Sequence, residues 1–339
     1  MSTTHPQAPT APPDSPTARR FSLRWTPTTS VVAITVALFV FSWLVAPGSV
    51  SGGAIDSLLP FAGILAIAAI GQTIVVMLKG IDLSLPGMMT LAALVSSKYA
   101  ADHGSIVAAL AVVAVIAVVV GVVNGVVVSV FSVTPLVATL AVNAVLMGAA
   151  LAYSGGTPTR APQSVSDFAL QKSLGVSNTV WLAVALMIVT VFATGRAAWG
   201  RRIVAVGSAE RTARAAGVRT VGVKVSGYVA AALCYSGAGV LLAGYVGTPN
   251  TNAGTSYLLP AIAAVVVGGS ALSGGRGNIV GTAVGALFLS QLTQLVLSLG
   301  APSSTQFLVQ AVVIAVAVGA QQLDLRAVTA RLRPRKALS

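Results

Sequence analysis

The chain has 339 residues, of which 55% are apolar and only 8% charged, with a mean hydropathy of +0.89 and a formal net charge of +13. Roughly a quarter of an average globular chain is Asp, Glu, Lys or Arg, so this composition excludes a water-soluble domain and makes lipid the solvent for most of the chain. The basic surplus does not point to nucleic acid, because the Lys and Arg residues are scattered between apolar runs rather than gathered on one soluble face.

Residues 1–28 place Pro6, Pro9, Pro12, Pro13 and Pro16 among Ser, Thr and Ala, a composition that cannot build a core, and are expected to form a disordered cytoplasmic tail. Arg19-Arg20-Phe21 has the paired arginines of an export signal, but no clear small-residue cleavage site follows Ala46-Pro47, and cytoplasmic anchoring charge is the preferred reading. Windows of about 20 apolar residues then give candidate spans at 29–46, 57–78, 84–100, 105–131, 134–153, 178–195, 225–246, 257–273, 278–299 and 304–321. The fold class is therefore all-α and integral to the membrane, with about ten transmembrane helices in one permease domain, 29–321, and a basic cytoplasmic tail at 322–339. The third and eighth spans are short and flanked by Gly or Pro, so short or broken helices are expected there. The 34 glycines suit helices that pack closely in lipid. The single cysteine, Cys234, lies in an apolar run and reads as packing.

Positive charge sets the orientation. With the N-terminus inside, the cytoplasmic segments hold Arg19, Arg20, Arg24, Lys79, the seven basic residues of 196–224, Arg276 and the basic C-terminal residues. Only Lys98, Arg160 and Lys172 fall outside, so both termini are expected in the cytoplasm.

The spans carry little that could do chemistry. Of the seven acids, only Asp82 lies near membrane depth, with Lys79 close by, so ion coupling through buried carboxylates is disfavoured. His5 and His103 are the only histidines and belong to no ligand-spaced cluster, which leaves no metal site. No G-x-x-x-x-G-K-[ST] loop is present, so energy for active transport must come from a partner. The polar groups within the spans are neutral: Gln72, Asn124, Thr139, Asn143, Gln291, Gln294, Gln306 and Gln310. Thr139 and Asn143 are four apart and Gln291 and Gln294 three apart, so each pair shares a helix face. Together with Asp82 and Ser84, the first six of these are candidates for a translocation path suited to a neutral polyhydroxylated solute. For any one of them, a hydrogen bond between helices is the simpler reading.

Three segments interrupt the apolar pattern. Gly80-Ile81-Asp82-Leu83-Ser84-Leu85-Pro86-Gly87 ends one span and begins the next, with Asp82 or Ser84 as the cap of the new helix. Gly269-Ser270-Ala271-Leu272-Ser273 repeats its G-x-x-L-S core in the second half, as two pseudo-symmetric halves would, although tight turns alone would give the same echo. In the cytoplasmic stretch 196–224, Ser208 followed by helix formers and closed by Gly217 has the start and stop signals of a short helix bearing Glu210, Arg211 and Arg214, a docking surface. A solvated basic loop would need the arginines but not the capped helix.

Gly80-Ile81-Asp82-Leu83-Ser84, Val123-Asn124-Gly125, Thr134-Pro135, Thr139-Leu140, the Gly200–Gly217 segment and Gly268–Gly281 resemble, in order over about 57–320, the permease subunits of bacterial ABC sugar importers of the ribose, galactose, arabinose and xylose type, within the branched-chain amino acid and sugar permease superfamily. The resemblance implies a subunit of the bacterial inner membrane that is no enzyme and carries no cofactor. It implies a second permease copy, as a homodimer or with a paralogue, and a cytoplasmic ATPase that binds ATP and Mg. It further implies a periplasmic or lipid-anchored solute-binding protein and surrounding membrane lipid. Ser208, Ala209, Glu210, Arg211, Arg214 and Gly217 would then belong to the coupling helix that contacts the ATPase. The chain departs from the family where Lys79-Gly80 stands for Gly-Gly and where Pro86 follows Leu85. The solute implied is a neutral monosaccharide. Nucleosides or branched-chain amino acids remain as alternatives, and a stand-alone secondary carrier is the competing class.

Overall fold

The computed structural model describes residues 26–322. Helices α1 (Pro27–Val45), α2 (Gly52–Met77), α3 (Leu85–His103), α4 (Ile106–Ser129) and α5 (Pro135–Ser154) are followed by a short α6 (Gln163–Leu170) and a two-stranded hairpin, β1 (Lys172–Ser173) and β2 (Val176–Ser177). The strands pair antiparallel with Lys172 opposite Ser177. The chain continues through α7 (Asn178–Gly195), α8 (Ala198–Ser208), α9 (Glu210–Ala215), α10 (Thr220–Val246), α11 (Leu258–Val267), α12 (Ile279–Ser298) and α13 (Ser303–Gln322).

Each of the ten predicted spans contains a helix. Among the described residues, α1, α2, α4, α5, α7, α10 and α12 are long and apolar enough to cross a membrane. The protein is an all-α multi-pass membrane protein. The two spans expected to be short or broken differ from each other. α11 has 10 residues, about 15 Å of helix, and a 3-10 turn over Thr255–Tyr257 leads into it. α3 is a full helix of 19 residues whose first thirteen, Leu85–Ser97, are buried without a break. Protein rather than lipid surrounds it, which explains its modest apolarity: Ser97 Oγ donates to the Ala93 carbonyl at 2.8 Å, and Thr90 Oγ1 accepts from Gly254 N–H at 3.0 Å.

α10 is the axis of the bundle, packed against α2, α3 and α4. α4 approaches it at Gly121 and Gly125, where an added Cβ would run into the backbone of Val229 and Val225. This is the close approach that small residues permit in lipid. Cys234 is buried here beside Gly71. α2 and α10 are mostly buried, whereas α1, α4, α5 and α7 present apolar side chains outward.

The boundary expected at residue 28 moves. Thr26 already caps α1, its Oγ1 accepting from Thr29 N–H at 3.3 Å while Thr29 Oγ1 accepts from Thr26 N–H at 2.9 Å. The remainder of the expected N-terminal tail, and the C-terminal tail beyond Gln322, lie outside the described residues. The hairpin turns at Leu174 and Gly175, both with positive φ, as a two-residue turn between antiparallel strands requires.

Charge separates the two ends of the bundle. At one end Lys172 pairs with Asp56 at 2.6 Å, Lys98 with Asp102 at 3.9 Å, and Gln163 donates to Asp167 at 2.7 Å. At the other lie Lys79, Arg196, Arg201, Arg202, Arg211, Arg214, Arg219, Lys224 and Arg276, with Glu210 as the acid among them.

Candidate functional site

The first junction, between α2 and α3, is a broken helix pair whose exposed backbone groups are answered by side chains. α2 ends on Lys79 at φ 63°, with Lys79 N–H bonded to the Val76 carbonyl at 2.9 Å and Gly80 N–H to the Val75 carbonyl at 3.0 Å. Residues 81–84 lie outside both helices, and a buried backbone amide without a partner is costly. Gln72, fully buried, turns its carboxamide onto the Asp82 peptide: in the amide orientation that satisfies both its atoms it accepts from Asp82 N–H at 3.1 Å, and donates to the Asp82 carbonyl at 3.2 Å and to Tyr235 Oη at 2.8 Å. Thr139 Oγ1 accepts from Leu83 N–H at 2.9 Å, and Asn143 Oδ1 accepts from Gly87 N–H at 2.8 Å. Asp82 Oδ1 accepts from Ser84 N–H at 2.8 Å and from Ser84 Oγ at 2.6 Å, and Asn124 Nδ2 donates to that same hydroxyl at 2.9 Å.

Six predicted path residues, Gln72, Asp82, Ser84, Asn124, Thr139 and Asn143, are thus brought together from α2, α4, α5 and the junction itself. Their polar atoms hold the junction's backbone or one another. Asp82 acts as the cap of α3 through Ser84 N–H, while Ser84, the N-cap residue, makes no side-chain cap bond of its own. Three buried oxygens nearby have no partner among the described residues: Asp82 Oδ2, Asn124 Oδ1 and Tyr228 Oη. The other two path candidates lie elsewhere, on α12. Gln291 is fully buried with neither carboxamide atom partnered among the described residues, and Gln294 is half-buried. Gln306 and Gln310, on α13, both approach Thr293 Oγ1 at 3.4 Å.

The second junction, between α11 and α12, ends its first helix in the same way. Gly269, at φ 82°, donates to the Val266 carbonyl at 2.9 Å and Ser270 to the Val265 carbonyl at 3.1 Å. Lys79 therefore corresponds to Gly269, one residue out of step with the G-x-x-L-S echo in the sequence. The segment that follows is held by Asn278, which is itself bonded to Thr28 of α1, its Nδ2 donating to Thr28 Oγ1 at 2.9 Å. Asn278 Nδ2 donates to the Gly268 carbonyl at 2.8 Å, its Oδ1 accepts from Gly281 N–H at 3.0 Å, and its N–H donates to Ser270 Oγ at 2.9 Å.

The two junctions meet each other and the end of α8. Gly275 N–H donates to the Met77 carbonyl at 2.9 Å, Lys79 Nζ donates to the Ser208 carbonyl at 3.2 Å, and Gly207 lies so close to Met77 that a Cβ would overlap its carbonyl. A Cβ at Gly274 would strike the Lys79 side chain, and one at Gly275 the Ser208 hydroxyl. Residues 77–79, 207–208 and 274–275 form one knot at the basic end. An apolar cluster of Ile74, Met77, Leu78, Ile203, Val206, Ala213 and Val223 fastens α8 and α9 beside it, to the ends of α2 and α10.

The short helix expected from Ser208 is present but starts later. Ser208 is the last residue of α8, Ala209 is the N-cap of α9 without a side-chain bond, and Glu210 opens the first turn. The Ser-cap signal failed because the preceding residues are themselves helical and carry Ser208 into a helix C-terminus. The stop signal holds: Gly217, at φ 80°, donates to the Arg214 carbonyl and Val218 to the Ala213 carbonyl, each at 3.0 Å, the paired bonds of a glycine-terminated helix. Glu210 joins α9 to α10, bonded to Lys224 Nζ at 2.7 Å and to Arg214 at 3.2 Å, and Arg214 also donates to Thr220 Oγ1 at 3.2 Å. Burial raises the Glu210 carboxyl, but the Lys224 hydrogen bond and charge, with Arg214 behind them, outweigh it and hold the group below its usual range.

Sequence reasoning missed Tyr235, Asn278, Lys224 and Met77. An apolar run hides a tyrosine that supplies one hydrogen bond, and nothing in the sequence marks the carbonyl of Met77 as a docking point.

This fold defines a multi-pass helical membrane protein whose interruptions lie at one end of the bundle. The model of the family described as branched-chain amino acid transport system, permease component, matches residues 54–318, and the chain belongs to that family. Among relatives, the ribose import permease protein RbsC of Escherichia coli K12 is 32% identical over 294 residues, covering 85% of this chain and 91% of the relative. RbsC of Bacillus subtilis is 34% identical over 265 residues, 77% of this chain and 82% of that protein. The galactofuranose transporter permease protein YtfT of Escherichia coli is 32% identical over 314 residues, 89% and 91% of the two chains. No solved structure matches the chain. The chain is a permease subunit rather than an enzyme.

Proposed function

We propose that this chain is the membrane path of an ATP-driven bacterial importer for a monosaccharide, working with a separate cytoplasmic ATPase and an extracytoplasmic solute-binding protein. The relatives named for ribose and galactofuranose cover most of this chain's length and support the sugar class. The observation that carries the mechanism is the knot of 77–79, 207–208 and 274–275. α9 exposes Ala209, Thr212 and Ala216 on its outward side and is tied through Glu210 to Lys224 of α10. In our reading an ATPase groove holds α9. Its movement passes through Gly207 and Ser208 to the contact between the two junctions, at Gly275 and the Met77 carbonyl. The helices thereby tilt and release solute inward without chemistry on it.

The basic end faces the cytoplasm in this proposal, with both chain termini on that side, in the inner membrane. Two permease copies, identical or paralogous, enclose the path, and Gln291 and Gln294 are the path candidates whose side chains have no hydrogen bond among the described residues. ATP and Mg sit on the ATPase. The decisive experiment is uptake into proteoliposomes holding the permease, its ATPase and its binding protein. ATP-dependent entry of labelled pentose or hexose is expected, and competition by leucine or a nucleoside instead of sugar would transfer the proposal to those solutes. Replacing Glu210 and Arg214 together should leave the chain in the membrane and uncouple ATP hydrolysis from uptake; unchanged uptake would reject the role given to α9.

A further inference from the structure

Three non-glycine residues have positive φ among the described residues, Lys79, Ser132 and Leu174. Leu174 is explained by the hairpin turn. The other two, at 63° and 54°, line one cavity of about 850 Å³ at the basic end. Both are left-handed residues just past helix ends, of α2 and α4, so the cavity opens where these two helices stop.

The cavity has two kinds of wall. Leu78, Val128 and Pro135, at the ends of α2, α4 and α5, give it an apolar floor at the depth where the membrane-crossing helices stop. Lys79, Arg211, Arg214 and Lys224 give it a basic side, against the single acid Glu210. Glu210 occupies Lys224 and Arg214, and Lys79 is bonded to the Ser208 carbonyl. Arg211 is exposed and has no hydrogen bond or ion pair among the described residues, so its guanidinium is available to an anion. An apolar floor at the ends of membrane-crossing helices, beneath a basic wall, is the pattern of a pocket for an anionic lipid.

We propose that this cavity binds the phosphate headgroup of an anionic phospholipid, its glycerol and first acyl carbons resting on Leu78, Val128 and Pro135 and its phosphate on Arg211. The site shares Arg211 with the segment given to the ATPase, while Ala209, Thr212 and Ala216, outside the cavity lining, remain open to a protein partner.

The test uses the purified full-length chain in detergent, with phosphatidylglycerol or phosphatidylcholine added and retained lipid counted by native mass spectrometry. Phosphatidylglycerol should be retained about tenfold better, and Arg211→Gln should reduce that preference about fivefold, the effect of about one basic residue at an anionic surface. Arg211→Lys should keep most of it, and equal thermal unfolding of the three proteins in phosphatidylcholine establishes that the variants are folded. Absence of a preference, or a preference unchanged in Arg211→Gln, overturns the site. Displacement of the lipid by millimolar inorganic phosphate would reassign the cavity to a free anion, and its release when the ATPase binds would reassign it to an acidic group of that partner. Retention through both treatments supports the lipid.

Discussion

The two helix junctions at the basic end finish their first helices with the same pair of backbone bonds, yet they are held in opposite ways. The first is gripped from a distance: Gln72 from α2, Asn124 from α4 and Thr139 and Asn143 from α5 all converge on residues 82–87. The second is held by its own Asn278 and Ser270 and by the outer helix α1, whose Thr28 bonds Asn278. A segment fixed by three separate elements can change shape only if the bundle repacks, whereas one tied to its own residues and to an outer helix can shift with them against its neighbour. The difference assigns the first junction to the frame and the second, through Gly275 and the Met77 carbonyl, to the moving contact.

The largest effect should come from removing the grip on the first junction. Gln72→Leu leaves the Asp82 N–H and carbonyl buried without partners and Tyr235 without one of its own, at about 1–3 kcal/mol for each unsatisfied group. Little folded protein is expected, read as loss of a monodisperse peak after detergent extraction. A well-folded Gln72→Leu would show that the junction does not need this amide. At the moving contact, Gly207→Ala near the end of α8 should cost about 1–3 kcal/mol by overpacking. Its methyl group has the Met77 carbonyl in the way, so the knot must open. Here the chain should still reach the membrane but lose ATP-driven uptake. Loss of folding equal to that of Gln72→Leu would erase the distinction between frame and moving contact.

The contrast was only partly legible in the sequence. The ten helices were readable because apolar length alone determines what can cross a bilayer. The polar residues of the first junction were readable as a set, since each stands out in an apolar run. Their shared target was not, because the amides they satisfy belong to Asp82, Leu83 and Gly87, whose side chains reveal nothing about backbone need. The same holds for Ser208. A serine before helix formers is a start signal, and only the preceding turns of α8 make it an end. The G-x-x-L-S echo pointed to two comparable junctions, but its register is one residue off, because side-chain identity and backbone geometry repeat separately. α6 and the small hairpin lie in a polar stretch whose periodicity is too short to announce either.

A milder substitution sharpens the reading of the first junction. Asp82→Asn keeps an oxygen for Ser84 N–H and Ser84 Oγ, and places a donor at Asp82 Oδ2, which, like Asn124 Oδ1, has no partner among the described residues. Stability within about 1 kcal/mol of the parent is expected, with uptake retained. Loss of uptake at unchanged stability would mean that the junction needs the negative charge itself.

The smallest effect concerns the link between α9 and α10. Glu210 is held below its ordinary value of 4.5 by Lys224 and Arg214, against the opposing effect of burial. A carboxylate depressed in the folded state stabilises it above the unfolded value, and that contribution fades as pH falls through the folded value. Hydrogen exchange at 210–218, corrected for the intrinsic rate, should therefore show α9 protected and insensitive to pH between 7 and about 5, then progressively opened below the ordinary carboxylate value. The change is modest, because the Glu210 side chain remains 35% exposed and its ion pairs are partly screened by solvent. Glu210→Gln should remove the acid-dependent part and leave α9 less protected at neutral pH, while exchange at 82–87, which no part of this ion pair touches, stays as in the parent. Equal opening of both segments would show that the tether and the frame are one cooperative unit, and the division between a fixed and a moving junction would fall.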